Sequence, residues 1–272
     1  MHPLHRPPLV PPFVPPVLLV VAHGSRDPRH AATAHALTRR VRAQRPGLRV
    51  ETGFLDFNAP SVPEVLERLA REGAPHVVEV VAQPLLLTRA FHAKADIPAV
   101  LREASERLPG LRIRQAGVLG PSRLLVGALE RRLYEAGLAR ADRPSTGVVL
   151  ASAGSSDPEA AAVIAGIARE WERRAGWYAV RPAFASASLP RTEDAVRALR
   201  AEGVRRVAVA PYVIAPGRLP DRIVAGAAEG GADVLAEVLG PAPELAKLLL
   251  TRYDEACGTP SPELTLLHGR AS

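Results

Sequence analysis

AHGSRDP, residues 22–28, recurs as SAGSSDP at residues 152–158, and this repeat decides the fold. The glycine, the serine directly after it, the aspartate and the proline occupy the same places in both copies, 130 positions apart (22 to 152). The same offset aligns GFLDFNAP at 53–60 with AFASASLP at 183–190, and VLGP occurs at both 118–121 and 238–241. Ordered matches at several points indicate a tandem duplication of one structural unit.

Each copy alternates short β-branched runs with longer amphipathic, alanine- and arginine-rich segments, a pattern typical of βα units on a parallel sheet. The predicted strands lie near 17–22, 49–55, 77–82 and 112–116, and in the second copy near 147–151, 179–184, 205–210 and 233–238. The predicted helices of the first copy lie near 30–45, 61–72, 96–107 and 122–136, with Ser61 and Asp96 as caps. We therefore expect an α/β protein of two tandem-duplicated, doubly wound halves. The predicted division is a tail at 1–16, halves at 17–143 and 144–257, and a tail at 258–272.

Composition excludes several classes of protein. The 272-residue chain has a formal net charge of +7 and 47% hydrophobic residues. The charge favours an anionic partner, although it also reflects arginine spread over the whole surface. No basic run with interleaved aromatic residues supports nucleic-acid binding. No apolar stretch approaches the roughly 20 residues of a membrane helix. A single cysteine, Cys257, argues against a disulfide framework and favours the cytoplasm.

Candidate ligands follow the strands of the first copy. In open α/β sheets the ligand crevice lies at the carboxyl ends of the strands. His23 follows the first strand, Asp56 the second, and His92 the third. Imidazoles and a carboxylate in one cleft can hold a divalent ion or accept protons near neutral pH. Histidines elsewhere, His30 among them, are expected to be surface or core residues.

The second copy serves as an internal control for this site. Ala153 stands where the first copy has His23, and Ser186 where it has Asp56. The stretch that matches the surroundings of His92 reads APGRLPDRI at 215–223, without a histidine. The predicted sheet is retained while the ligands are lost. This asymmetry places the predicted chemistry in the first half.

The quoted motifs resemble those of the sirohydrochlorin chelatases, which have the class II chelatase fold. The likeness rests on VVAHGSRDPR, on GFLDFNAPSV and on the segment from QPLLL to FHAKADIP, within a duplication covering roughly 17–257. It implies insertion of Fe²⁺ or Co²⁺ into sirohydrochlorin on routes to siroheme or cobalamin. Imidazole ligands also accept Ni²⁺, which we include as a candidate ion. His23 and His92 are implied as metal ligands and proton acceptors. Asp56 stands where the family often has glutamate.

Polar and basic residues close to the two histidines are candidate substrate contacts. Ser25, Arg26, Arg89 and Lys94, together with Arg29, lie near the two histidines in sequence and are expected to bind the carboxylate-rich tetrapyrrole. We expect the metal to be a substrate, with no organic cofactor. Two fused copies make a pseudo-dimer, which favours a monomer.

Other readings remain beside this one. A histidine phosphatase has arginine before its nucleophilic histidine, whereas this chain has Ala22. Neither GxGxxG after a strand nor a P-loop lysine supports a nucleotide enzyme. A non-catalytic tetrapyrrole- or metal-binding protein of the same fold is the alternative left open.

Overall fold

The computed structural model describes residues 14–89 and 95–258. The first half alternates strands and helices in the order β1, α1, β2, α2, β3, α3, β4 and α4. These elements are Val17–Ala22, Pro28–Gln44, Val50–Phe54, Val62–Gly73, Val78–Pro84, Ile97–Arg107, Leu111–Gln115 and Arg123–Glu135. A short 3-10 helix at Arg140–Ser145 leads into the second half.

The second half repeats this order as β5, α5, β6, α6, β7, α7, β8 and α8. Its elements are Thr146–Ser152, Pro158–Ala175, Ala179–Phe184, Thr192–Ala201, Arg206–Tyr212, Arg218–Gly230, Val234–Leu235 and Pro243–Ala256. The predicted α/β fold with two halves is confirmed.

Each half contains one four-stranded parallel sheet. The strand orders are β2-β1-β3-β4 and β6-β5-β7-β8, which are equivalent in the two copies. The central strands β1 and β5 are buried along their whole length, as expected for β-branched runs covered by helices on both faces. Because all strands are parallel, the segments that leave their carboxyl ends meet at one edge of each sheet.

Helix starts follow the predicted capping chemistry in part. The Asp27 carboxylate accepts a hydrogen bond from the Arg29 backbone N–H, so α1 begins at Pro28, two residues earlier than predicted. Ser61 and Glu64 form the capping box at the start of α2. The prediction that Asp96 caps α3 is wrong, because its backbone is itself helical and its side chain makes no capping hydrogen bond.

The strand boundaries differ from the predicted ones mainly at β3, β7 and β8, and β7 ends at Tyr212, two residues beyond the predicted end. Strand β3 extends to Pro84, two residues beyond the expected end, because its last residues still pair with Val20 and Val21 of β1. Strand β8 contains only Val234 and Leu235, since it lies at an edge and pairs with β7 alone.

The two halves pack against each other through a shared core. Helix α8 of the second half packs on α1 and α4 of the first. One cluster of buried side chains includes Leu18 and Leu129 from the first half and Trp171 and Leu245 from the second. Burial of this much apolar surface is the main force holding the halves together.

Ion pairs surround this shared core. Arg45 donates to both Asp254 carboxylate oxygens at 2.5 and 2.7 Å. Arg131 donates to Glu244 at 3.0 and 3.1 Å. Both pairs join the first half to α8. Among residues 14–89 and 95–258, no helix is long and apolar enough to cross a bilayer.

Candidate active site

The loop after β1 is tied to the loop after β2 by close backbone packing. Gly24 has a φ of 93°, which favours glycine, and a Cβ there would overlap the Asp56 carbonyl group. The Asp56 backbone N–H donates to the His23 carbonyl at 2.9 Å, and the Ser25 N–H donates to Asn58 Oδ1 at 2.8 Å. The glycine of the HGS motif therefore allows the two loops to lie against each other, and their contact holds His23.

His23 is half-buried directly beyond the end of β1. Its Nδ1 lies 3.3 Å from the Gly24 carbonyl oxygen, and its ring stacks on Phe57 with centroids 6.4 Å apart and planes at 22°. Phe57 is 51% exposed, and the Arg26 guanidinium carbon lies 5.2 Å from the centre of its ring. The Phe57 ring thus contacts both the His23 imidazole and the Arg26 guanidinium.

Phe57 was not predicted from the sequence. Its φ of 59° is unusual for an aromatic residue, and the matching Ala187 of the second copy also has a φ of 59°. The strain therefore belongs to the duplicated loop. The aromatic side chain is specific to the copy that carries His23, and this difference between the copies was the available sequence signal.

His23 opens into a cleft between the two halves. The cleft has a volume of about 370 Å³. The first half contributes His23, His30 and the segment 86–88, and the second half contributes 152–155, Ala160, Ala161, Ile164, Phe184, 212–215, Leu219 and Pro220. Its walls are mainly apolar with a few polar groups, as is usual for sites that bind small molecules.

The same segments of the two copies line this cleft. The loop 152–155 is the counterpart of the loop that carries His23, and Ala153 faces the cleft in the position equivalent to His23. Residues 86–88 follow Pro84 as residues 213–215 follow Pro211, and both segments line it. The cleft is therefore built from two equivalent loop sets, of which only the first carries histidines.

His30 was expected to be a surface or core residue, and this expectation is wrong. It lies in the first turn of α1 and lines the cleft together with His23. Burial, reinforced by the neighbouring His23, lowers the pKa of His30 below its ordinary value. Its buried Nδ1 has no hydrogen-bond partner among the described residues. Helical spacing alone did not show which side of α1 would face the second half.

The other predicted site residues in the described part of the chain, Ser25, Arg26, Asp56 and Arg89, are not among the residues that line the cleft. Asp56 is exposed, and its Oδ1 accepts from the Phe57 N–H at 2.8 Å. The Ser25 hydroxyl oxygen accepts from the Asp27 N–H at 3.0 Å. Arg89 is exposed beyond the segment 86–88.

Two predicted residues, His92 and Lys94, lie outside the described residues. Their parent strand β3 is hydrogen-bonded directly to β1, the strand that precedes His23. Within 14–89 and 95–258, no group of three or more histidine, cysteine, aspartate or glutamate residues could hold a metal ion. The metal-ligand set of His23, His92 and Asp56 therefore stays a prediction.

An interhalf ion pair lies at the edge of the cleft. The Arg29 guanidinium donates to Asp27 and, at 2.9 Å, to Asp221 of the second half. Asp221 follows Pro220, which lines the cleft. Hydrogen bonding from Arg29 lowers the pKa of the Asp27 carboxyl. Because Arg29 and Asp221 are both more than half exposed, their pairing contributes little to stability.

Comparisons with known proteins agree with this architecture. The CbiX family model matches residues 17–136 and 147–256, one match in each half. The chain is 29% identical over 208 residues to the sirohydrochlorin cobaltochelatase of Priestia megaterium, a match spanning 76% of this chain and 66% of that protein. It is also 29% identical over 206 residues to the sirohydrochlorin ferrochelatase of Bacillus subtilis (strain 168), covering 76% of this chain and 77% of the relative.

Solved structures show the same fold over nearly the whole chain. SirB from Bacillus subtilis with Fe³⁺ superposes with a TM-score of 0.78 at 25% identity, covering 92% of this chain and 97% of SirB. A cobalt complex of SirB from Bacillus subtilis subspecies spizizenii gives a TM-score of 0.72 at 24% identity, with the same coverage. With a family match in both halves, a common fold and a histidine-bearing cleft between them, the chain belongs to the CbiX family of sirohydrochlorin chelatases.

Proposed function

We propose that this protein inserts Fe²⁺ or Co²⁺ into sirohydrochlorin. The observation that carries the proposal is the position of His23, which leaves a buried parallel strand and opens into a mainly apolar cleft between the halves. An apolar cleft suits a flat macrocycle, and the His23 imidazole on its wall, without a complete ligand cage, suits an ion that has to be released. Named relatives that act on sirohydrochlorin with cobalt or iron support this assignment.

The proposed reaction exchanges protons for a metal ion. A divalent ion that enters the macrocycle replaces two pyrrole N–H protons, so charge is conserved and both protons need acceptors. An imidazole with its ordinary pKa near neutrality can bind a metal ion through a neutral nitrogen and can also accept a proton. We assign this chemistry to His23, and to His92 on the segment that follows the neighbouring strand.

Asp56 is the proposed third ligand. It is exposed, and its backbone N–H is hydrogen-bonded to the His23 carbonyl, so the two residues belong to neighbouring turns of the paired loops. A carboxylate and imidazoles are compatible with iron, cobalt and nickel alike. The proposal therefore extends to Ni²⁺ as an accepted ion, and it requires no organic cofactor.

The proposed substrate contacts use the polar groups beside His23. The Ser25 oxygen already accepts from the Asp27 N–H, so its hydroxyl proton is directed to another acceptor, such as a substrate carboxylate. Arg26, lying over Phe57, and the exposed Arg89 are proposed to bind carboxylates at the rim, together with Lys94. The net charge of +7 favours encounter with an anionic substrate.

The proposed setting is a monomer in the cytoplasm. The two halves already bury their central apolar surfaces against each other, which favours a chain that functions without a second copy. Light scattering at working concentration tests the oligomeric state. The single cysteine is compatible with a reducing compartment.

An anaerobic assay tests the proposed activity. Purified protein is mixed with sirohydrochlorin and Fe²⁺, Co²⁺ or Ni²⁺, and metallated product is followed by absorbance. We expect many equivalents of product per protein chain, and at least a hundredfold lower rate for His23→Ala. His76→Ala is the matched control, because His76 is an exposed histidine in the turn before β3.

Two outcomes would contradict the proposal. Product limited to one equivalent per chain would identify a carrier that binds the pigment without turnover. A wild-type rate for His23→Ala would show that the chemistry lies elsewhere.

A further inference from the structure

The cleft contains a second imidazole that the proposed reaction has not used. His30 lines the same wall as His23 but belongs to helix α1 and not to the loop. The Asp27 cap fixes its position, since the His30 N–H donates to the Asp27 carbonyl at 3.1 Å in the first turn. The side chain is therefore held on a rigid element beside the cleft.

The duplication shows that His30 has the same asymmetry as His23. At the offset of 130 residues, His30 corresponds to Ala160, just as His23 corresponds to Ala153. Both alanines line the same cleft. These two imidazoles of the first half therefore each have a small apolar counterpart in the second half, and this leaves space for a guest between the two walls.

The polar atom of His30 is unpaired within the described structure. Its Nδ1 is buried and has no hydrogen-bond partner among residues 14–89 and 95–258. A buried polar atom without a partner costs free energy, so native proteins usually pair such atoms with protein, water or ligand. A histidine in a tail or on the surface has no comparable free-energy cost, because water can pair with its ring nitrogens. Because His30 lines the cleft, a ligand bound there is the candidate partner for this nitrogen.

We infer that His30 is a substrate-contacting residue, which hydrogen-bonds the tetrapyrrole through Nδ1 and orients it relative to His23. This inference rests on the proposed function. In this inference the His30 side chain contacts the macrocycle and does not bind the metal ion. Ala160 on the opposite wall would then face the same macrocycle through an apolar contact.

Two substitutions of similar size separate hydrogen bonding from packing. His30→Asn keeps an amide at about the position of Nδ1, whereas His30→Leu fills space without a polar atom. We expect His30→Leu to weaken binding of metal-free sirohydrochlorin about five- to tenfold, the effect of one lost hydrogen bond. We expect His30→Asn to remain within about threefold of wild type, and His76→Ala to match wild type.

The measurements are anaerobic titrations of metal-free sirohydrochlorin, followed by absorbance, and separate KM values for macrocycle and metal ion. Circular dichroism and thermal unfolding establish that each variant is folded. A KM change confined to the macrocycle supports the inference.

Three results would overturn it. The first is binding of metal-free sirohydrochlorin by His30→Leu as tight as that of the wild type. The second is an equal loss of macrocycle affinity in His30→Asn and His30→Leu. The third is a KM of His30→Leu that is raised for the metal ion alone. If the wild-type protein neither binds nor metallates sirohydrochlorin, the proposed function fails and this inference fails with it. If the wild type turns over and His30→Leu is unaffected, only the role of His30 is refuted.

Discussion

Substitution of Gly24 by alanine should test whether loop packing holds the predicted active-site histidine. Gly24 has a φ of 93°, and its added Cβ would lie 2.9 Å from the Asp56 carbonyl carbon and 3.2 Å from Asn58 Oδ1, with closer overlap on the Asp56 oxygen. The loops must therefore separate. Separation would weaken the 2.9 Å bond to the His23 carbonyl and the 2.8 Å bond from the Ser25 N–H.

The expected cost has two parts. A non-glycine residue in the left-handed region costs about 1–2 kcal/mol. Two hydrogen bonds, each with a net value of about 1 kcal/mol, add about 2 kcal/mol. We therefore expect Gly24→Ala to lower the free energy of unfolding by about 3–4 kcal/mol. Because His23 moves with the loop, we also expect the chelation rate to fall at least tenfold.

Two other glycines provide matched comparisons in urea unfolding. Gly47 has a φ of 87° and no atoms within 4 Å of an added Cβ, so Gly47→Ala should cost only the conformational part, about 1–2 kcal/mol. Gly154 is the counterpart in the second copy, and its Cβ would overlap the Ser186 carbonyl, so Gly154→Ala should cost as much as Gly24→Ala. Equal stability of Gly24→Ala and Gly47→Ala would refute the packing argument.

Three further predictions concern individual contacts. Asn58→Ala leaves the Ser25 N–H without its 2.8 Å acceptor, so we expect about 1 kcal/mol lower stability in urea unfolding and a reduced chelation rate. Burial is the largest single influence on the Glu244 carboxyl and would raise its pKa, but the hydrogen bond from Arg131, the backbone hydrogen bond of Glu244 and the Arg131 charge together hold that pKa below its usual value. This stabilisation is complete above the usual glutamate pKa and is lost as pH falls through the lowered value, so the Tm deficit of Glu244→Gln at pH 7 should shrink below about pH 4. The buried Tyr212 hydroxyl has no partner among the described residues, so Tyr212→Phe should leave unfolding unchanged or raise stability by up to about 1 kcal/mol, and a loss above 1 kcal/mol would contradict this.

Local patterns in the sequence were sufficient to predict the α/β architecture and the position of His23 in the first half. The AHGSRDP repeat predicted the duplication, and the equivalent strand orders of the two sheets agree with it. The β-branched run before His23 predicted a buried strand, which is confirmed. Ser61 predicted the start of α2, which is also confirmed. This prediction succeeds because capping depends on residues only a few positions apart.

Tertiary structure alone decided how the two halves meet. Contacts between α8 and both α1 and α4 bring Ala153 and Ala160 of the second copy to the same cleft as His23 and His30. No local pattern encodes this arrangement, because it depends on burial of apolar surface between segments more than one hundred residues apart. His30, which was expected to be a surface or core residue, therefore lines the cleft of the proposed substrate. The position of His23 could be predicted because it follows the end of a strand in the sequence. The shape of the cleft could not be predicted, because it depends on how the two halves pack.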